Sequence, residues 1–264
     1  MTSVQFPNAA ISHTPRLFLI LWGQTKTDST RQSRKAEFTG WLQILAQPPK
    51  THPAFIRRVA HGVIHMNTPL ILASGSEIRA QLLRNAAIPI KVVPARVDED
   101  MIRSSMIADG AKPRDVADAL AEIKARKISE KHPGALVLGC DQVLDHQGTI
   151  LSKPQTSIEA RAQLHALQGG RHMLYSAAVL VENGKPVWRH IGQVRMLMRA
   201  ASVSYIDAYV QRNWDSIRHS VGAYKLEEEG AQLFTRVDGD YFSVLGLPLL
   251  ELIAYLTVRG DLQQ

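Results

Sequence analysis

Leu70-Ile71-Leu72-Ala73-Ser74-Gly75-Ser76-Glu77-Ile78-Arg79 decides the class of this chain. Its first four residues make a continuous apolar run, as expected of a strand covered on both faces. Ser74-Gly75-Ser76 follows, and Ser76 stands where a serine caps a helix whose first turn is Glu77-Ile78-Arg79. Ile78, Leu82 and Leu83 then share one face at helical spacing. A strand that runs through small residues into a helix N-terminus leaves backbone N–H groups and a helix dipole open to an anion. Arg79 adds a guanidinium suited to bidentate phosphate binding. Taken alone, the run fits an ordinary strand–helix turn with a solvated arginine equally well.

The same alternation continues outward. Ile90–Val93 reads as a second strand, 115–129 as a helix with Val116, Leu120 and Ile123 as its stripe, and Ala135–Gly139 as a central strand. A helix over 158–167 ends at Gly169-Gly170. Two long strands, 173–181 and 187–198, flank Asn183-Gly184, a hairpin signal that adds antiparallel character. A helix over 203–211, strands near 230–237 and 241–244, and a closing helix over 248–256 complete an α/β pattern with a mixed sheet flanked by helices.

Residues 1–65 read differently. They hold eight Lys/Arg against Asp28 and Glu37, and they mix Pro, Ser, Thr and Gln without sustained periodicity. Of the net charge of +7, this stretch carries +6, so the remainder is nearly neutral and offers no basic face for nucleic acid. The expectation is an N-terminal extension over 1–65, disordered or upstream of a true start at Met66, and one functional domain over 66–264. The longest apolar run of that extension, Leu17–Trp22, falls far short of the roughly 20 residues that span a bilayer. Cys140 is the single cysteine, so no internal disulfide forms and a reducing, cytoplasmic compartment is expected.

Four further stretches carry groups for chemistry. Val97-Asp98-Glu99-Asp100 offers oxygen ligands for a hard divalent cation, or simply a solvated turn. Leu136-Val137-Leu138-Gly139-Cys140-Asp141-Gln142 is an apolar strand ending in a carboxylate, which can bind metal or take a proton from water. Ser152-Lys153-Pro154 presents a cation on a stiffened loop. Gly222-Ala223-Tyr224-Lys225-Leu226-Glu227-Glu228-Glu229-Gly230, with Gly239-Asp240-Tyr241 and Val244-Leu245-Gly246-Leu247-Pro248, suits a loop closing over a base, or a charged hairpin tip.

In this order and spacing the motifs resemble the Maf family of nucleotide pyrophosphatases: L-I-L-A-S-G-S-x-x-R, V-D-E, G-x-D-Q-V, S-K-P, G-A-Y and G-D-Y-x-x-V-x-G-L-P, spread over 70–256. The resemblance implies a two-lobed α/β fold with a deep cleft, a homodimer, a divalent metal (Mg or Mn), and hydrolysis of a nucleoside triphosphate between its α and β phosphates. It implies Asp141 as general base, Glu99 and Asp141 as metal ligands, and Ser74, Ser76, Arg79, Lys124 and Lys153 as phosphate-binding residues.

The specificity positions it implies are Ile78, Gln142 and Glu227. Gln142 and Glu227 are similar to the branch acting on 7-methyl-GTP. Ile78 and Glu77 depart from that branch's Trp and Pro and remove its stacking platform. The expected activity is therefore nucleoside triphosphate pyrophosphatase. The alternatives are a 7-methyl-GTP-specific enzyme and, in another class, a non-hydrolysing nucleotide-binding regulator of cell division. No nucleic acid or membrane partner is expected.

Overall fold

A computed structural model describes residues 70–262. The expected extension 1–65, its apolar run and Met66 lie outside the described residues.

The opening strand β1 (Leu70–Leu72) is buried along its whole length because both faces are covered. Leu70 and Leu72 pack with Leu83, Leu252 and Leu256 of helices α1 (Glu77–Asn85) and α7 (Leu249–Arg259). Ile71 faces Val116, Leu120 and Ala121 of α3 (Pro113–Ser129) on the other side. β1 lies parallel between β2 (Ile90–Val92) and β3 (Leu136–His146), with Leu70 opposite Ile90 and Leu136.

β3 then outruns its parallel neighbour. One edge pairs without interruption with antiparallel β5 (Arg171–Glu182), from Leu136 opposite Glu182 to Asp145 opposite Met173. The other edge carries β1 at residues 136–138 and the short antiparallel β4 (Thr149–Leu151) at residues 144–146. Residues 139–143 lie between those partners, so the sheet has a gap there. β5 turns at Asn183 and Gly184, both at positive φ, into β6 (Lys185–Met198), and β7 (Phe234–Asp238) closes the order β2-β1-β3-β5-β6-β7. The sheet is mixed, as the alternation predicts.

Three packed cores cover the sheet. Two of them sandwich the parallel end of the sheet. The third lies at the far end of the long strands, where α4 (Ser157–Leu167) and α5 (Val203–Ile217) cover Leu144, Leu174, Val194 and Met196. Gly139 sets the approach of α3 to β3: a Cβ there would lie 2.0 Å from the Ala121 carbonyl oxygen and 2.8 Å from the Ala125 nitrogen. Only glycine lets the helix come so close.

The structure corrects several expectations. The acidic run is no turn: Asp98 accepts a hydrogen bond from the Met101 N–H (3.0 Å) and caps helix α2 (Glu99–Ala108). Residues 241–244 form a helical turn, α6 (Tyr241–Val244), capped by Asp240, rather than a strand. The stretch read as a strand from 230 begins with a 3-10 turn, Glu229–Leu233, before β7. α5 continues to Ile217, because Ile206, Tyr209, Val210 and Ile217 keep one buried face past Gln211. Asp141 stands inside β3 rather than at its end. Ser76 precedes α1 but makes no side-chain cap; its N–H donates instead to the Ser74 hydroxyl at 3.2 Å.

Candidate active site

The gap in the sheet opens into a hollow of about 900 Å³. Ser74, Ser76, Ile78, Arg79, Glu99, Lys124, Asp141, Gln142, Lys153 and Glu227 all line it. Residues separated by more than half the chain thus face one space, reaching it from several elements.

The floor is set by β3. Strand alternation puts Asp141 on the face of β3 that carries Val137 and Gly139, towards α3, and it is 5 % exposed. Lys124 rises to meet it from α3, which Gly139 allows to sit close. The ammonium donates to Asp141 Oδ1 at 2.7 Å and lies 2.9 Å from Glu99 Oε1 at the first turn of α2. One buried cation therefore ties together two acids from two other elements. Asp141 Oδ2 is buried and has no hydrogen-bond partner among the described residues.

Lys124 lowers both carboxyls, yet the balance with burial falls in opposite directions on the two acids. Desolvation raises the Asp141 carboxyl above the usual carboxylate range, against the pull of Lys124 and Arg79, and Glu99 adds to the rise. Burial acts the same way on Glu99. There Lys124, by charge and hydrogen bond, with Lys153 and Arg103, outweighs it and lowers the carboxyl. Lys153 is exposed at the rim, yet partial desolvation and then the Arg79 guanidinium depress its ammonium. Cys140, fully buried next to Asp141, is pushed up to about 11 by burial and stays a thiol.

Arg79 lines the hollow as expected, but most of its donors are engaged. Nε donates to the Gly246 carbonyl at 2.7 Å, and Nη1 donates to the Ser74 hydroxyl (3.2 Å) and the Cys140 carbonyl (3.0 Å). It fills the sheet gap beside β3 and fastens the Gly246 loop to α1. The side-on pair of donors expected to grip a phosphate is broken, because Nε is already engaged.

Gln142 is fixed as well. Its Nε2 donates to the Ser176 hydroxyl (2.9 Å) and to the carbonyls of Ser243 (3.1 Å) and Val244 (2.9 Å), leaving Oε1 as the atom open to a ligand. Beside it lies a smaller recess walled by Val221, Leu226, Val244 and Leu245, with Gln142 and Glu227 as polar edges. Glu227 is exposed and makes no hydrogen bond or ion pair with a described residue. Gly222, at φ 75°, shapes this loop: a Cβ there would lie 2.5 Å from Leu144 Cδ1. Tyr224 anchors the loop through its hydroxyl, 2.7 Å from His172 Nε2.

The hollow also contains Arg103 and His219, which the sequence reading missed, and Ser152 and Lys225, which it quoted within motifs without a role of their own. Arg103 had a legible signal, since it lies four residues after Glu99 and so shares its helix face once α2 is known to be a helix. His219 had none, and Lys225 only its place in the closing loop. Their positions depend on the turn following α5.

Among the described residues no three His, Cys, Asp or Glu side chains group to enclose a metal. Two carboxylates do converge, with one buried oxygen unpartnered. That donor set suits Mg²⁺ or Mn²⁺, hard ions that commonly take one or two carboxylates and complete their shells with water and phosphate oxygens.

A family model described as Maf-like protein matches residues 69–258. A nucleoside triphosphate pyrophosphatase of Ruegeria pomeroyi is 65% identical over 195 residues, which are 74% of this chain and 98% of the relative. One of Roseobacter denitrificans is 64% identical over 197 residues, 75% of this chain and 99% of its own. A 7-methyl-GTP pyrophosphatase of Mesorhizobium japonicum is 46% identical over 195 residues, 74% of this chain and 98% of its own. Among the described residues no helix is long and apolar enough to cross a membrane.

Proposed function

The chain belongs to the Maf family, and on that premise we propose that it is a nucleoside triphosphate pyrophosphatase, a hydrolase that converts its substrate to the monophosphate and pyrophosphate. The observation that carries this reading is the meeting of Glu99, Asp141, Lys124 and Lys153 around one hollow large enough for a triphosphate, with Asp141 Oδ2 unpartnered.

In the reaction a water oxygen bonds to the α phosphorus, the α–β bridging P–O bond breaks, and pyrophosphate departs with the bridging oxygen. Asp141 orients the water and takes its proton at Oδ2; desolvation makes this carboxylate a better base than an exposed one. Lys124 keeps Glu99 and Asp141 in register. Lys153 faces the phosphates as a point charge, while Ser74 and Ser76 offer hydroxyls and backbone at the entry to α1. Glu99 and Asp141 would hold the divalent cation, which when bound neutralises phosphate charge. Within the same proposal the enzyme works in the cytoplasm, supported by its lone buried cysteine. It works as a homodimer, supported by the family resemblance alone, and residues 1–65 are an extension to a catalytic unit that starts at Met66.

One observation favours a narrower second reading. Gln142 Oε1 and the Glu227 carboxylate are both acceptors, and they flank the recess. Guanine offers the matching donors, so a guanine-type base, 7-methyl-GTP included, is the second reading. Among the described residues no Trp or Phe lines either hollow to stack on a methylated, cationic ring; the rings there are those of Tyr224 and His219.

Pyrophosphate release from a panel of canonical, deoxy and methylated triphosphates with Mg²⁺ tests both. D141N keeps the shape and loses the base, so its turnover should fall about 10²- to 10⁴-fold in protein that is still folded at the assay temperature. Near wild-type rates in D141N would remove Asp141 from that role. Binding without release from any member of the panel would leave the non-hydrolysing regulator.

A further inference from the structure

Two arginines line the hollow, and they differ in what their guanidinium groups have left to give. A guanidinium grips a phosphate best through two parallel N–H donors, and the side-on pair is Nε with Nη2. In Arg79 that pair is broken by the Nε bond to Gly246, and Nη1 is taken by Ser74 and Cys140. In Arg103 only Nη1 is engaged, donating to Asp100 Oδ1 at 2.6 Å and to the Ser152 hydroxyl at 3.2 Å. Nε and Nη2 of Arg103 make no hydrogen bond to a described residue.

Arg103 is also well placed. Its side chain is only 15 % exposed, on the face of α2 that carries Glu99. Through Ser152 it touches the loop that holds Lys153, and the Ser152 carbonyl is in turn held by Gln163 Nε2 at 2.9 Å from α4. Among the described residues its one ion-pair contact, Asp100, is 86 % exposed, a contact that contributes little and yields readily to a phosphate.

We propose that Arg103 is the bidentate clamp on the phosphates that leave as pyrophosphate, and that Arg79 is a positioning residue closing the sheet gap. This rests on the pyrophosphatase reading for the identity of the ligand. The departing group carries the most charge, and a fork beside Lys153 meets it without touching the nucleoside end.

Calorimetric titration of wild type, R103Q and R103K with pyrophosphate and, separately, with nucleoside monophosphate, in Mg²⁺, reads the clamp without turnover. R103Q should weaken pyrophosphate about 10- to 100-fold while monophosphate affinity stays within about twofold. R103K should recover only part of the loss, because an ammonium restores charge but not the fork. In kinetics both variants should raise KM as well as lower kcat.

Pyrophosphate affinity unchanged in R103K, or monophosphate weakened in step with pyrophosphate, overturns the clamp; R103K decides the matter even should R103Q fold poorly. A wild-type protein that binds pyrophosphate through Arg103 yet hydrolyses no triphosphate would support the clamp while removing the enzymatic reading.

Discussion

Lys124 shows how much one side chain organises here. Its ammonium is shared between Glu99 and Asp141, and all three come from separate elements. Removing one member of a buried ionic group leaves uncompensated charge, which costs about 3–5 kcal/mol. K124M keeps the stem and deletes the charge, so in EDTA its denaturation midpoint should drop accordingly. Two carboxylates would then face each other with no cation between them. Mg²⁺ should therefore raise the melting temperature of K124M more than that of wild type. Equal metal-induced shifts in the two proteins would show that the acids do not share a cation site.

At the scale of elements, the key contact is α3 against β3. G139A places a methyl group inside the backbone of α3, and neither partner can retreat without opening the core around Val116, Leu120 and Val137. Overpacking typically costs about 1–3 kcal/mol, and a clash with backbone belongs at or above the top of that range. Denaturant unfolding should show that loss, and nucleotide affinity should fall with it as Lys124 is displaced. A G139A protein of undiminished stability would mean the helix does not depend on that glycine.

The elements also show what the sequence made legible. β1, its loop and α1 could be read because the apolar run and the helical stripe meet at small residues. Asp141 was legible as a residue, but its mid-strand position was not: the run Val143-Leu144 after Asp141-Gln142 does not say whether a strand continues, and its partner Lys124 lies 17 positions earlier on a separate helix. α2 was missed because its N-terminus reads as three consecutive acids and its face buries no residue fully. Arg79 drew the phosphate role from sequence spacing; the acceptors that occupy it, Gly246 and Cys140, lie far along the chain and no local pattern predicts them.

For the molecule as a whole, the buried His172 links stability to pH. It is 2 % exposed, its Nδ1 is unpartnered, and burial, with His146 second, pushes it down to about 4 from its ordinary 6.5. The unfolded chain binds this proton more readily than the folded one. No penalty exists above pH 6.5. It grows as pH falls and is complete below about 4, where it reaches ~3 kcal/mol. Denaturant unfolding at pH 7 and pH 4 should show wild type losing that much more than H172Q. The same acid loss in both proteins would assign the sensitivity elsewhere.

Asp141, the proposed base, and Gln142 ride on a strand paired with β5 over ten residues, whereas Ile78 and Glu227, also proposed to face the nucleobase, sit on a helix entrance and a turn. On that proposal part of recognition is carried outside the strand that carries the reaction. A lineage built this way is free to exchange one nucleobase for another by rewriting a few loop positions, with the scissile chemistry passed down intact beneath them.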